Sequence, residues 1–126
     1  MTLRELVDSI VEAKGWTPSA LADRVNLVVP QRDGRKQVVW LSEFKDDGEA
    51  MVRFTTRIGG TGPLDGPRLR AALELNARLS HGCLAVQGDE LVMTATRPLR
   101  TTTPGTSGDA IEFLARQADL YEDLIY

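Results

Sequence analysis

The chain has 126 residues, with 15 lysines and arginines against 18 aspartates and glutamates, a formal net charge of −3. That length supports one domain, residues 1–126, with a self-sufficient core, and the acidic balance opposes non-specific attraction to nucleic acid or anionic membrane. Cys83 is the only cysteine, which excludes an intrachain disulfide and a cysteine-rich metal site.

Thr2 and Glu5 form a capping box at the start of a first helix. Leu3, Leu6, Val7, Ile10 and Val11 are its buried stripe, and Gly15 ends it. Arg4, Glu5, Asp8, Glu12 and Lys14 interrupt the apolar positions, so these residues do not read as a signal peptide. No stretch is long and apolar enough to span a bilayer. A cytoplasmic, membrane-free protein is expected.

Thr17-Pro18 followed by Ser19 to Asp23 predicts a short capped helix. Two helices joined through Gly15-Trp16-Thr17-Pro18 also give a helix-turn-helix alternative over residues 3–27, a DNA-binding regulator with Arg24 as its cation. Against it stand the alternation of Val25, Leu27 and Val29, the acid Asp23 beside Arg24, and the acidic chain as a whole. Nucleic acid is not the expected partner.

Strands are predicted at Val25 to Val29 and Lys36 to Leu41, with a turn at Asp33-Gly34. Val38 and Trp40 share one face of the second strand, Val39 and Leu41 the other. Both faces are therefore partly apolar, and both are expected to be covered by helices or by a second subunit. Asp46-Asp47-Gly48 lacks the rest of a calcium loop and predicts a turn. Val52, Phe54, Thr56 and Ile58 then alternate with Met51, Arg53, Thr55 and Arg57 as a third strand.

Gly59-Gly60-Thr61-Gly62-Pro63 stands between that strand and a helix, where phosphate loops occur. It lacks the Lys-Ser/Thr ending of such a loop, and its glycine spacing misses the dinucleotide pattern by one residue. A plain crossover is expected. The next helix, Leu69 to Ser80, places Leu69, Ala72, Leu73, Asn76 and Leu79 on one face. Asn76 is expected to be a structural amide, and Gly82 a left-handed stop. A hairpin follows: Leu84 and Val86, then Leu91, Met93 and Ala95, alternate around Gly88-Asp89. Cys83 is expected to be a buried inert thiol, and His81 a surface group at the helix end.

Thr101 to Gly108 is rich in Thr, Gly, Pro and Ser and predicts a mobile linker. The last helix is predicted from about Asp109, capped by Thr106 or Ser107. Ile111, Leu114, Ala115, Ala118, Tyr121 and Ile125 form one stripe; Phe113, Leu120 and Leu124 form a second that needs a partner. No catalytic, cofactor or metal constellation is evident, and an enzyme is not expected.

Taken together, Asp33-Gly34-Arg35-Lys36-Gln37-Val38, Thr55-Thr56-Arg57-Ile58-Gly59, Leu73-Glu74-Leu75-Asn76-Ala77-Arg78-Leu79 and Arg97-Pro98-Leu99 resemble the YbjN-like bacterial family, with its type III secretion chaperone-like fold. The resemblance runs over nearly the whole chain; Thr17-Pro18 has no counterpart in it. It implies an α+β fold, an antiparallel twisted sheet of about five strands in the order α-β-β-β-α-β-β-α. It also implies a non-enzymatic, chaperone-like or regulatory protein-binding module, homodimeric, with an unidentified protein client. Candidate contacts are Trp40 on the sheet and Phe113, Leu120 and Leu124 on the last helix, with Leu75 and Leu79 for self-association.

Overall fold

The computed structural model describes all residues, Met1–Tyr126. Helix α1 (Leu3–Lys14) begins where Thr2 Oγ1 accepts from the Glu5 N–H and donates to its carboxylate. Gly15, with φ of 74°, ends it. Six strands follow in two runs: β1 (Thr17–Ala20), β2 (Val25–Pro30), β3 (Lys36–Asp46) and β4 (Glu49–Gly60), then β5 (Cys83–Gln87) and β6 (Glu90–Pro98). Helix α2 (Gly66–Glu74) separates the runs, and α3 (Pro104–Ile125) closes the chain. All strands join one antiparallel sheet in the order β1-β2-β3-β4-β6-β5. The hairpin of β3 and β4 turns at Asp47 and Gly48, whose φ angles of 50° and 80° suit the right-handed twist of the strands it joins.

The sheet has one strand more than the resemblance implies, and the extra strand replaces the predicted short helix. Thr17 to Ala20 lies antiparallel to Val25 to Val28, and the Leu21 N–H closes the hairpin on the Arg24 carbonyl at 2.8 Å. Ala20, Leu21 and Ala22 bury nothing, so no apolar face holds a helix there, whereas the ladder satisfies the backbone. With that helix goes the helix-turn-helix over residues 3–27. Pro18 stands in an edge strand, where its missing donor costs little and blunts the edge.

Two helix boundaries also differ. Helix α2 stops at Glu74, and a 3-10 turn over Leu75–Arg78 replaces its expected last turns. Asn76 explains this: its amide accepts from the Leu84 N–H at 2.6 Å and donates to the Leu84 carbonyl at 3.2 Å, tying the chain to β5. At the other end, α3 starts at Pro104 with Thr103 as its cap, so the expected linker is mostly helix. Its small residues allow close packing. Ser107 and Gly108 are buried, and a Cβ on Gly108 would stand 3.0 Å from the Lys14 side chain of α1.

The core lies on one side of the sheet. Leu27, Val39, Thr56, Met93 and Leu84 form a continuous row across five strands, all buried. Leu6 and Ile10 of α1 and Ile111, Leu114, Ala115 and Ala118 of α3 join it. The alternate residues face away from this core. Their central row runs Ser19–Asn26–Trp40–Thr55–Thr94–Cys83. The expectation that both faces are covered thus holds for one face only within the chain. Cys83 is exposed rather than buried, because it falls on this outer row at the sheet edge.

Candidate protein-interaction surfaces

The outer sheet face carries the most distinctive chemistry. Period-two alternation places Val38, Trp40, Ser42 and Phe44 of β3 on it, beside Met51, Arg53 and Thr55 of β4. Val28, Val38, Trp40, Phe44 and Met51 take no part in the core cluster. The Arg24 guanidinium lies 4.5 Å from the Trp40 ring centre, and the Arg53 guanidinium 4.4 Å from that of Phe44. Such stacking orients a cation while leaving its edge N–H groups free. Thr55 and Val92, in the central strands of this face, are only 1% and 2% exposed, so its accessible nonpolar surface is chiefly that of Val38, Trp40, Phe44 and Met51. Of the three buried side-chain oxygens without a hydrogen-bond partner, two, Asn26 Oδ1 and Thr94 Oγ1, belong to the central outer row.

A second surface lies on the helix side. Ala71, Ala72 and Leu75 meet Leu124, Ile125 and Tyr126 around an open groove of about 430 Å³, with Arg68 and Asp123 at its rim. Leu124 is 71% exposed, and Leu73, expected in the buried stripe of α2, is 48% exposed. Helix α2 meets the core through buried Ala72 and half-buried Leu69, and Leu73 lies off that face.

The sequence-predicted contact residues therefore fall in several places. Leu75 and Leu124 share the groove, while Leu79 is half-buried against the core. Leu120, 55% exposed, borders a separate charged cleft with Arg32, Arg35, Arg116 and Asp119. There Arg35 pairs with Asp119 at 2.6 Å. Phe113 is half-buried with the His81 ring edge-on at 5.6 Å, and Trp40 is half-buried on the far side of the sheet. Sequence reasoning missed Phe44 by ending the second predicted strand at Leu41, and it placed Arg53 in the third strand without a binding role. Continuing the even-numbered alternation past Ser42 finds Phe44.

The glycine-rich segment serves packing. The Tyr126 ring lies directly on Gly59, where a Cβ would come within 2.5 Å of it, and the Tyr126 hydroxyl donates to the Gly60 carbonyl. Burial raises the Tyr126 pKa and Glu122 adds to the effect, against the opposing pull of Arg57. At the start of α2 the Asp65 carboxylate accepts from the Arg68 N–H at 2.9 Å, which caps the helix end with an anion of its own. No group of three or more His, Cys, Asp or Glu side chains is placed to hold a metal ion, and no helix is long and apolar enough to cross a membrane.

No family model and no curated protein matches the chain. Solved structures do. A chain of the HopA1–SchA chaperone–effector complex matches with a TM-score of 0.67 at 11% identity, covering 95% of this chain and 92% of that one. YbjN of E. coli matches with a TM-score of 0.50 at 16% identity, covering 98% and 88%. The chain has a type III secretion chaperone-like α+β fold and is similar in fold to YbjN as well.

Proposed function

We propose that this protein is a non-enzymatic protein-binding module of the cytoplasm, chaperone-like or adaptor in role, acting as a homodimer. The observation that carries this is the sheet with one face covered by helices and the other holding Trp40 and Phe44 under no helix. Nonpolar surface of this kind is stabilised by covering it with another polypeptide. The similarity to a chain of a chaperone–effector complex supports the same reading. For the dimer, the support is the groove between Leu75 and Leu124, with Leu124 71% exposed at its edge. Affinity capture from native lysate, with mass spectrometry, tests the binding role. A defined polypeptide retained by the wild type and lost from Trp40→Ser or Leu124→Glu is expected. Identical captures by wild type and both variants contradict the proposal.

A further inference from the structure

We propose that the uncovered sheet face takes an extended acidic peptide segment lying along β3, with two carboxylates four residues apart pairing with Arg24 and Arg53. This rests on the protein-binding role and names the partner's chemistry.

The charge pattern is the starting point. Lys14, Arg35, Arg57, Arg70 and Arg100 each sit on a carboxylate. Of the ten cations without such a partner, Arg24 and Arg53 are set apart by lying over aromatic rings of the outer sheet face. Arg53 spends one donor, its Nε, on Thr96 Oγ1. The remaining donors of both forks are free for a carboxylate, which a guanidinium engages with two parallel hydrogen bonds. Asp23 flanks Arg24, and Asp46 and Glu49 lie beyond Phe44 and Met51, so the two stacked guanidiniums are the cations nearest the nonpolar middle of the face.

The spacing sets the ligand. Trp40 and Phe44 are four residues apart on one face of β3, roughly 13 Å at the usual strand rise. An extended peptide repeats its own side-chain direction every second residue, so positions i and i+4 match that distance. The residue between them faces the same way, toward the nonpolar surface of Val38, Trp40 and Met51. A second copy packed face to face would bring two further guanidiniums to a face that already holds two. Stacking nucleic-acid bases needs open aromatic faces, and here a guanidinium lies over each ring.

The test uses the full chain and two fluorescein-labelled, end-blocked peptides of alternating valine and serine. One carries two glutamates four residues apart; the other carries glutamines in their place. Fluorescence anisotropy is expected to show saturable, salt-weakened binding of the glutamate peptide. Binding of the glutamine peptide should be weaker by about tenfold or more, the scale of one charged hydrogen bond. Arg24→Gln and Arg53→Gln, each checked for wild-type circular dichroism, should weaken the glutamate peptide and leave the glutamine peptide unchanged. Equal binding of the two peptides overturns the acidic specificity while leaving a protein-binding face intact. Absence of binding by either peptide, insensitivity to both arginine substitutions, or displacement by a single-stranded oligothymidylate at lower concentration also overturns it. The protein-binding role itself is decided separately, by whether capture depends on Leu124 or Trp40.

Discussion

Asn76→Ala offers a quantitative test of how the fold closes its β5 edge. The Asn76 amide occupies both the N–H and the C=O of Leu84, at 2.6 and 3.2 Å, and Leu84 is only 2% exposed. Removing the amide deletes two hydrogen bonds, each with a net worth of about 1 kcal/mol, and leaves backbone groups without partners. Water can reach part of this half-buried junction, so a total loss of about 2 kcal/mol is expected rather than the full desolvation cost of both groups. For a domain of this size that lowers the melting temperature by roughly 8 °C. Urea denaturation monitored by circular dichroism measures it, with an unchanged m-value showing that stability alone has moved. Asn76→Asp keeps the acceptor for the Leu84 N–H but sets a carboxylate against the Leu84 carbonyl, and should also destabilise. A loss below about 0.5 kcal/mol for Asn76→Ala would refute the tie, since that is the range of ordinary surface substitutions.

Three further outcomes follow from the same contacts. Gly59→Ala should destabilise by about 1 kcal/mol at most, because the C-terminal Tyr126 ring can swing aside at the cost of its own contacts, and Tyr126→Ala in the same chain should remove most of that loss in a double-mutant cycle. Additive effects would contradict the contact. The Tyr126 phenol should titrate above its ordinary 10.0 in near-ultraviolet absorbance, by difference from Tyr126→Phe. Because the folded value is raised, its stabilising contribution is complete below pH 10 and is lost as pH rises through the folded value. Leu124→Glu, at the groove shared with Leu75, should convert a dimer to a monomer in sedimentation analysis with its circular dichroism unchanged. A wild-type chain that is monomeric at high concentration would contradict the dimer.

Much of this architecture was legible where local chemistry and long-range packing agree. The stripe of α1 and the alternation around Gly88-Asp89 each have one period and one boundary signal and form as expected, and the first stripe of α3 packs on the core despite its misplaced start. The failures have a common cause. Thr17 to Ala20 is a strand because β2 offers it a ladder, and no residue within the segment announces a partner that comes later in the chain. Thr101 to Gly108 looks like a linker by composition, yet the missing side chain of Gly108 is what lets α3 approach Lys14. Asn76 was readable as a structural amide, but the shortening of α2 depends on β5. For the surfaces, Trp40 and Leu124 stood out as surplus nonpolar residues. The stacking of Arg24 and Arg53 did not, because it joins a loop to β3 and β4 to β3 across the sheet.

Site-specific photo-crosslinking tests most directly whether this chain presents nonpolar surface to another polypeptide. A benzophenone side chain is placed at Trp40, at Leu124, or at the exposed Glu12 of α1 as a control, and the intact protein is irradiated in living cells. Adducts are expected from Trp40 and Leu124 and not from Glu12, with self-adducts of two 13.8 kDa chains arising from Leu124. Irradiation that leaves the chain unmodified from both Trp40 and Leu124, or that gives the same adducts from Glu12, would contradict the account.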